Sequence, residues 1–217
     1  MIDKLDKLDN INKFPIIILS SPRTGSTVLA EILSNKFPEL RMFLEPDFNR
    51  KGNKEIKYPM DDFTDYSKTS NQYILKFHLE YLNKYPPELI KKIINHDAFL
   101  IKIQRRSLIK QIVSDYISRV RNVYVYDIMK AYKHKDETIP IKDDLIEGCI
   151  KLIQDLNEAF NKTQINYDLE IYYEDFINSI NDSYKTRFVI APKPTNYNEI
   201  HQAIEYHLTN CKDLGLK

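Results

Sequence analysis

The feature that most constrains the fold of this chain is a continuous apolar run, which is followed by a short loop and then by a helix. Residues 14–20 read F-P-I-I-I-L-S, a pattern typical of a strand covered on both faces of a sheet. Residues 21–25 read S-P-R-T-G and predict a tight loop, while residues 26–36 repeat apolar side chains at helical spacing. A buried strand followed directly by a helix predicts an α/β unit built on parallel strands.

The rest of the chain alternates strand-like and helix-like segments. Further strands are predicted at 73–77, 99–104 and 169–172. Helices are predicted from residue 86 or 87 to 94, from Ser107 to about 126, and over 143–162 and 198–210. This alternation predicts an α/β fold with three layers, in which helices flank a parallel sheet on both faces.

The length of 217 residues is that of one domain, and we expect a single domain over 1–217. Residues 1–12 are predicted to form a charged N-terminal extension that is neither a secretory signal nor a membrane anchor. Residues 47–70 are polar and contain Gly52 and Pro59, which predicts an irregular excursion. No apolar run approaches the ~20 residues that a membrane span needs.

Charge and cysteine content exclude several classes of protein. Lys and Arg total 32 against 31 Asp and Glu, so the net charge of +1 argues against a nucleic-acid partner. Two cysteines, Cys149 and Cys211, are too few for a disulfide framework or a four-thiolate zinc site. A reducing compartment fits this usage best, and we expect a cytoplasmic protein.

The loop between the first strand and helix has the chemistry of a phosphate site. Backbone N–H groups converge at a helix start, where the helix dipole adds partial positive charge. Arg23 supplies a full charge, Ser26 and Thr27 supply hydroxyl donors, and Gly25 allows close approach of the backbone. The loop is not a Walker A motif, because Ser26 follows the glycine where that motif requires lysine.

Two segments carry a family resemblance. The run P-R-T-G-S-T after an apolar strand resembles the 5′-phosphosulfate loop of the sulfotransferases, which use 3′-phosphoadenosine 5′-phosphosulfate (PAPS) as sulfuryl donor. The run I-K-I-Q-R-R-S-L-I-K-Q-I-V-S-D-Y (101–116) resembles their 3′-phosphate segment. There Arg106 ends a strand and Ser114 follows eight residues later. Taken singly, these segments also fit an ordinary strand–turn–helix and a solvated basic pair.

Looser matches extend the resemblance over about residues 14–210, without 47–70. The run L-E-I-Y-Y-E-D-F (169–176) resembles the family strand that ends in Tyr-Glu-Asp-Leu, and A-P-K-P-T-N-Y (191–197) resembles a lysine-bearing loop. The chain thus looks like a short member of bacterial or viral type with a P-loop-NTPase-like sulfotransferase fold. The residues that the resemblance implies for donor binding are Arg23, Thr24, Gly25, Ser26, Thr27, Arg106, Ser114, Tyr173 and Lys193.

The resemblance also implies a mechanism of in-line sulfuryl transfer with PAPS and without a metal. Arg23 would stabilise the departing phosphate electrostatically, because a guanidinium does not give up its proton near neutral pH. Two residues compete as general base. His78 matches a Lys-x-His at a strand end, with Lys76 as a sulfonate ligand, whereas Glu45 lies in a region that supplies a glutamate in other members. We favour His78 narrowly on this spacing, and the ordinary pKa of imidazole also suits a base near neutral pH.

Other functions stay open at this point. A P-loop nucleotide or small-molecule kinase is the runner-up, although the strand that ends in Arg105 and Arg106 lacks the aspartate of a Walker B strand. A catalytically idle domain that binds phosphonucleotides is the third possibility. A small-molecule or carbohydrate acceptor is expected, but no motif identifies it, and the sequence does not indicate an oligomeric state.

Overall fold

The computed structural model describes residues 8, 11–44, 60–78, 87–95, 97–124, 132–134, 136–179 and 192–210. The chain divides into two compact units. The first consists of Met1–Arg106 and Ala159–Lys185, and the second of Ser107–Glu158 and Thr186–Lys217. The single domain predicted over 1–217 stays a prediction.

The first unit contains a five-stranded sheet in which every paired neighbour is parallel. The strand order is β2-β3-β1-β4-β5, so β1 lies at the centre. This sheet confirms the predicted α/β class and all four predicted strands. The strands are β1 Ile16–Ser20, β2 Arg41–Leu44, β3 Tyr73–His78, β4 Phe99–Gln104 and β5 Leu169–Tyr172.

Helices account for most of the remaining described residues. They are α1 Ser26–Lys36, α2 Met60–Thr69, α3 Pro87–Ile94, α4 Leu108–Arg121, α5 Asp143–Lys162, α6 Tyr173–Ser179 and α7 Tyr197–Asn210. The predicted bounds of α1 and α5 are confirmed. Helix α4 is shorter than predicted, because Asn122 adopts a left-handed conformation and ends it. At its other end Ser107 caps α4 as predicted, by accepting a hydrogen bond from Lys110 N–H.

Side chains of β1 alternate between two apolar layers, which explains why the whole strand is buried. Ile16 and Ile18 pack with Leu29 and Leu33 of α1 on one face of the sheet. Ile17 and Leu19 pack on the opposite face with residues of α2 and α3 and with Phe160 near the end of α5. Helices therefore cover both faces of the central strand, as the continuous apolar run predicts.

The irregular excursion predicted over 47–70 is wrong for its second half, where α2 forms. Residues 47–59 lie outside the described part of the chain. In α2, Phe63 is fully buried, and its ring packs edge-on against Tyr73 of β3 with centroids 5.6 Å apart. Tyr66 lies one turn later and packs against Phe43 of β2 at 5.6 Å. Two aromatic anchors on an otherwise polar helix give too weak a periodic pattern for prediction from sequence.

The second unit is built from α4, the greater part of α5, and α7. Its apolar core joins Ile112 and Tyr116 of α4, Ile146 and Ile150 of α5, and Ile200 of α7. The amphipathic pattern predicted for α5 is confirmed here, since its apolar positions line this core. A separate helical core of this kind indicates that the second unit has its own stabilising interactions.

Replacing Phe63 tests whether α2 is a packed part of the first unit. Phe63→Ala should lower the free energy of unfolding by about 3–5 kcal/mol, because a fully buried ring is lost. Asp65→Asn is a matched control on the same helix, where an exposed pair with Lys68 is lost, and it should change stability by less than about 0.5 kcal/mol. Urea unfolding measures both. Equal, small effects of the two substitutions would contradict the packing described for α2.

Candidate functional site

The predicted phosphate loop lies where the chain direction across the sheet reverses. Strand β1 lies between β3 and β4. After β1 the chain continues to β2 at one edge of the sheet, and after β4 it continues to β5 at the opposite edge. Ligands of open α/β sheets bind at such a switch point, beyond the carboxyl ends of the strands. Residues 21–25 follow β1 and Arg105 follows β4 at this position.

The backbone of this loop has the conformation of an anion-binding turn. Arg23 and Gly25 both adopt left-handed conformations, with φ of 63° and 77°. Turns of this kind form concave anion-binding sites from successive N–H groups. The carbonyl of Gly25 accepts the first helical hydrogen bond from Leu29 N–H at 3.1 Å. The first N–H groups of α1 have no acceptor within the helix, and Gly25 has no side chain to cap them.

A tyrosine confines the loop from the side of α6. A Cβ atom placed on Gly25 would lie 2.5 Å from Cδ2 of Tyr173, far inside van der Waals contact. Glycine is therefore needed at this position for its conformation and for the space that the ring occupies. Tyr173 was predicted to lie near the nucleotide, and the structure places it against the loop.

Polar side chains connect the loop to the end of β3. Ser20 of β1 lies opposite His78 of β3 in the parallel ladder, and residue 18 lies opposite Lys76. Successive even positions share one face, so these side chains lie on the face that α1 covers. Ser20 Oγ donates to Ser26 Oγ at 3.0 Å and lies 3.3 Å from His78 Nδ1. Lys76 Nζ lies 3.4 Å from His78 Nε2.

Lys76 determines which ring nitrogen of a neutral His78 carries the proton. An ammonium group has only donors, so its hydrogen bond with Nε2 needs the lone pair of that nitrogen. A neutral imidazole then carries its proton on Nδ1, which donates to Ser20 Oγ or to the Ser20 carbonyl, each 3.3 Å away. Lys76 and Ser20 are buried and His78 is half-buried. The two predicted catalytic residues of β3 are thus brought together with the loop.

The two arginines after β4 have different surroundings. The Arg106 guanidinium forms a bidentate pair with Asp175, with both N–O distances at 2.5 Å, and stacks on the ring of Tyr172 at 4.4 Å. The Arg105 guanidinium lies 4.4 Å from the centre of the Tyr173 ring, the same ring that contacts Gly25. Half of the Arg106 side chain is exposed, whereas Arg105 is largely buried. Sequence reasoning missed Asp175 as the partner of Arg106, although an acidic pair after a strand was visible.

Two predicted phosphate ligands, Ser114 and Lys193, belong to the second unit. Ser114 lies on α4, where its carbonyl accepts a hydrogen bond from Ser118. Lys193 is exposed, with Nζ 4.7 Å from the ring centre of Tyr197.

A buried arginine holds the segment that contains Lys193. Arg121 donates to the carbonyl of Pro192 at 2.7 Å and to Glu137 at 2.9 Å. Burial raises the pKa of Glu137, but the hydrogen bond from His134 and the charge of Arg121 outweigh it and hold that pKa below its usual value. The charged pair therefore persists near neutral pH.

The described structure assigns no reactive role at the site to the alternative base or to the two cysteines. Glu45, the alternative base, and Cys211 lie outside the described residues. Burial raises the pKa of the Cys149 thiol to about 12, so this cysteine stays protonated and unreactive. Within the described ranges, no cluster of His, Cys, Asp and Glu side chains could hold a metal ion.

Comparisons with known proteins do not add a family assignment. No protein-family model matches the chain, and a search among curated proteins finds no match. Among the helices of the described segments, none has the length and apolar character needed to cross a lipid bilayer.

Alanine substitutions at two glycines test the confinement of the loop. Gly25→Ala should destabilise the protein by about 2–5 kcal/mol, from left-handed strain and collision with Tyr173. Gly148→Ala is the matched control, because a Cβ at this exposed helical position meets no atom within 4 Å. It should stabilise the protein by about 0.5–1 kcal/mol. Chemical unfolding of both variants measures the difference, and a Gly25→Ala variant as stable as the parent would contradict the described loop geometry.

Proposed function

We propose that this protein is a sulfotransferase that moves the sulfuryl group of PAPS to a hydroxyl or amine acceptor. The observation that carries the proposal is a series of side-chain contacts: Lys76 contacts His78, His78 contacts Ser20, and Ser20 donates to Ser26. It joins a basic imidazole and a buried ammonium to a loop suited to an anion. A loop that only bound phosphate would need neither group, whereas transfer to a hydroxyl needs a base beside the donor.

In this proposal the loop holds the phosphosulfate end of the donor. The N–H groups that begin α1 and the hydroxyls of Ser26 and Thr27 bind the 5′-phosphate oxygens. During transfer, the bond from sulfur to the bridging phosphate oxygen breaks while a bond from sulfur to the acceptor oxygen forms. The departing phosphate gains negative charge, which the Arg23 guanidinium stabilises without giving up a proton.

His78 receives the proton of the acceptor hydroxyl in the same step. Its Nε2 lone pair accepts from Lys76, so the base becomes available when the ammonium group turns from the neutral imidazole to an anion. The transferring sulfonate is such an anion, and its Coulomb attraction to the buried Lys76 ammonium favours the exchange. Lys76 then binds the sulfonate while Nε2 faces the acceptor. Glu45 stays the alternative base, as in the glutamate-using members that the sequence also resembles.

Arg106 of the first unit is the proposed ligand of the 3′-phosphate. For Ser114 and Lys193 of the second unit, this role is implied by the sequence resemblance alone. The planar fork of Arg106 is arranged for bidentate contact, as its pairing with Asp175 illustrates. A phosphate presents oxygens in a similar geometry, so donor binding would replace Asp175 by the 3′-phosphate. Tyr173, beside Gly25, is the proposed neighbour of the nucleotide.

The residues that follow β4 argue against a kinase function. A kinase of the P-loop type holds magnesium with an aspartate at the end of a strand beside the phosphate loop. Here β4, the neighbour of β1, ends at Gln104 and continues into Arg105 and Arg106. Two arginines favour a ligand with an additional phosphate rather than a metal–triphosphate complex. We further expect a small-molecule or carbohydrate acceptor and a cytoplasmic location.

The proposed base is tested by turnover of radiolabelled PAPS with a mixture of hydroxyl acceptors. His78→Asn should lower the rate by roughly a hundredfold to ten-thousandfold, because general-base removal has that cost. Its affinity for adenosine 3′,5′-bisphosphate should stay near that of the parent. Glu45→Gln should be milder.

The opposite ranking of these two variants would assign the base to Glu45. Absence of transfer by the parent protein, despite tight binding of the bisphosphate, would instead identify a nucleotide-binding domain without catalysis.

The proposed 3′-phosphate contact is tested by calorimetry with two nucleotides. Arg106→Ala should weaken binding of adenosine 3′,5′-bisphosphate by about 1.5–3 kcal/mol, the worth of a hydrogen bond to a charged group. It should affect adenosine 5′-phosphate far less, since that ligand has no 3′-phosphate. Equal losses for both nucleotides would contradict the assignment. Asp175→Asn, which removes the competing carboxylate charge, serves as control and should not weaken binding of the bisphosphate.

A further inference from the structure

Ser20 contacts both the loop and the proposed base. It is fully buried at the end of β1, and its hydroxyl lies 3.0 Å from Ser26 Oγ and 3.3 Å from His78 Nδ1. We propose that Ser20 is a positioning residue that couples occupancy of the phosphate loop to the imidazole of His78. The inference rests on the proposed function and assigns a role to a residue that the sequence did not single out.

The hydrogen bonds of this cluster have a consistent direction. Lys76 donates to His78 Nε2, since an ammonium cannot accept. The Nδ1 proton of His78 is directed to the oxygens of Ser20, and Ser20 Oγ donates its single proton to Ser26. Ser26 accepts this bond and keeps its own proton as a donor. Each donor therefore points from the strand toward the loop.

An anion bound at the loop adds one more acceptor to this series of hydrogen bonds, after Ser26. When Ser26 donates to a phosphate oxygen, its Oγ becomes a better acceptor for Ser20, because hydrogen bonds in a chain polarise one another. Ser20 Oγ in turn becomes a better acceptor for the Nδ1 proton of His78. A stronger bond at Nδ1 increases the electron density on Nε2, the nitrogen that would receive the acceptor proton. Loop occupancy thus prepares the base.

The backbone of Ser20 makes this coupling separable from the orientation of the ring. The Ser20 carbonyl also lies 3.3 Å from His78 Nδ1. Ser20→Ala therefore keeps an acceptor for the Nδ1 proton and preserves the tautomer. Only the link to Ser26 is lost, so the variant isolates communication between the loop and the ring.

The test follows the ring nitrogens of isotope-labelled histidine by NMR during titration with adenosine 3′,5′-bisphosphate without magnesium. Signals of His78 are assigned by their loss in His78→Asn. In the parent protein both ring nitrogens should shift on binding, and Nδ1 should stay protonated. In Ser20→Ala the shift should fall by more than half. Affinity should change by less than about tenfold, because at most one neutral hydrogen bond is lost.

Two control variants separate coupling from general damage. Ser20→Thr keeps the hydroxyl and should restore the response of His78. Ser67→Ala removes a serine hydroxyl on α2 that donates to the carbonyl of Thr64, and it should leave the response unchanged. A Ser20→Ala variant that binds the ligand with the full His78 shift would overturn the proposal.

Pyrophosphate as a second probe distinguishes failure of the coupling from failure of the proposed function. If pyrophosphate binds and shifts His78 only when Ser20 has a hydroxyl, while the bisphosphate does not bind, the coupling stands and the sulfotransferase proposal falls. If neither anion binds, or if a bound anion leaves His78 of the parent protein unchanged, the coupling itself is refuted.

Discussion

The contact between Gly25 and Tyr173 is the constraint on which the site depends. It fixes the turn from β1 into α1, because only glycine combines the left-handed backbone with the space that the ring occupies. The turn directs the first N–H groups of α1 toward the carboxyl end of the sheet. It also brings Ser26 to the end of β1, within reach of Ser20. The Arg105 guanidinium packs on the face of the same Tyr173 ring. This cation–π contact links the loop to the end of β4.

The polar cluster on the α1 side of the sheet interrupts an otherwise apolar layer. Along β3, Ile74 lies in the apolar core, whereas Lys76 and His78 follow on the same face. Burying an ammonium group costs free energy unless polar partners compensate. Sequences accept such a cost mainly at functional sites, where local rules of burial are broken. The contact of Lys76 with His78, which in turn lies next to Ser20 before the predicted phosphate loop, agrees with this interpretation.

Strong local patterns allowed most of the fold to be predicted from sequence. The apolar run before Gly25 and the long amphipathic stretch of α5 fix their elements through period and length. The short strand β2 and the helix α2 were not predicted, because the aromatic packing among Phe43, Phe63 and Tyr73 stabilises them across distant parts of the chain. Tertiary contacts of this kind leave little trace in a local window.

At the site too, local features could be predicted from sequence, whereas contacts between distant residues could not. The loop residues and the spacing of Lys76 and His78 were readable, since positions two apart on a strand share a face. The contacts of Ser20 with His78 and of Arg106 with Asp175 were not, because they depend on strand register and on residues far apart in sequence.

We propose that the loop after β1 binds a 3′-phosphorylated adenosine nucleotide and not a metal–triphosphate complex. A thermal-shift comparison of adenosine 3′,5′-bisphosphate without magnesium and ATP with magnesium distinguishes these two ligands. We expect a clear rise in melting temperature with the bisphosphate, unchanged by a chelator, and little effect of ATP with magnesium. Stabilisation by ATP with magnesium alone, with no response to the bisphosphate, would refute the proposed donor site and favour a kinase.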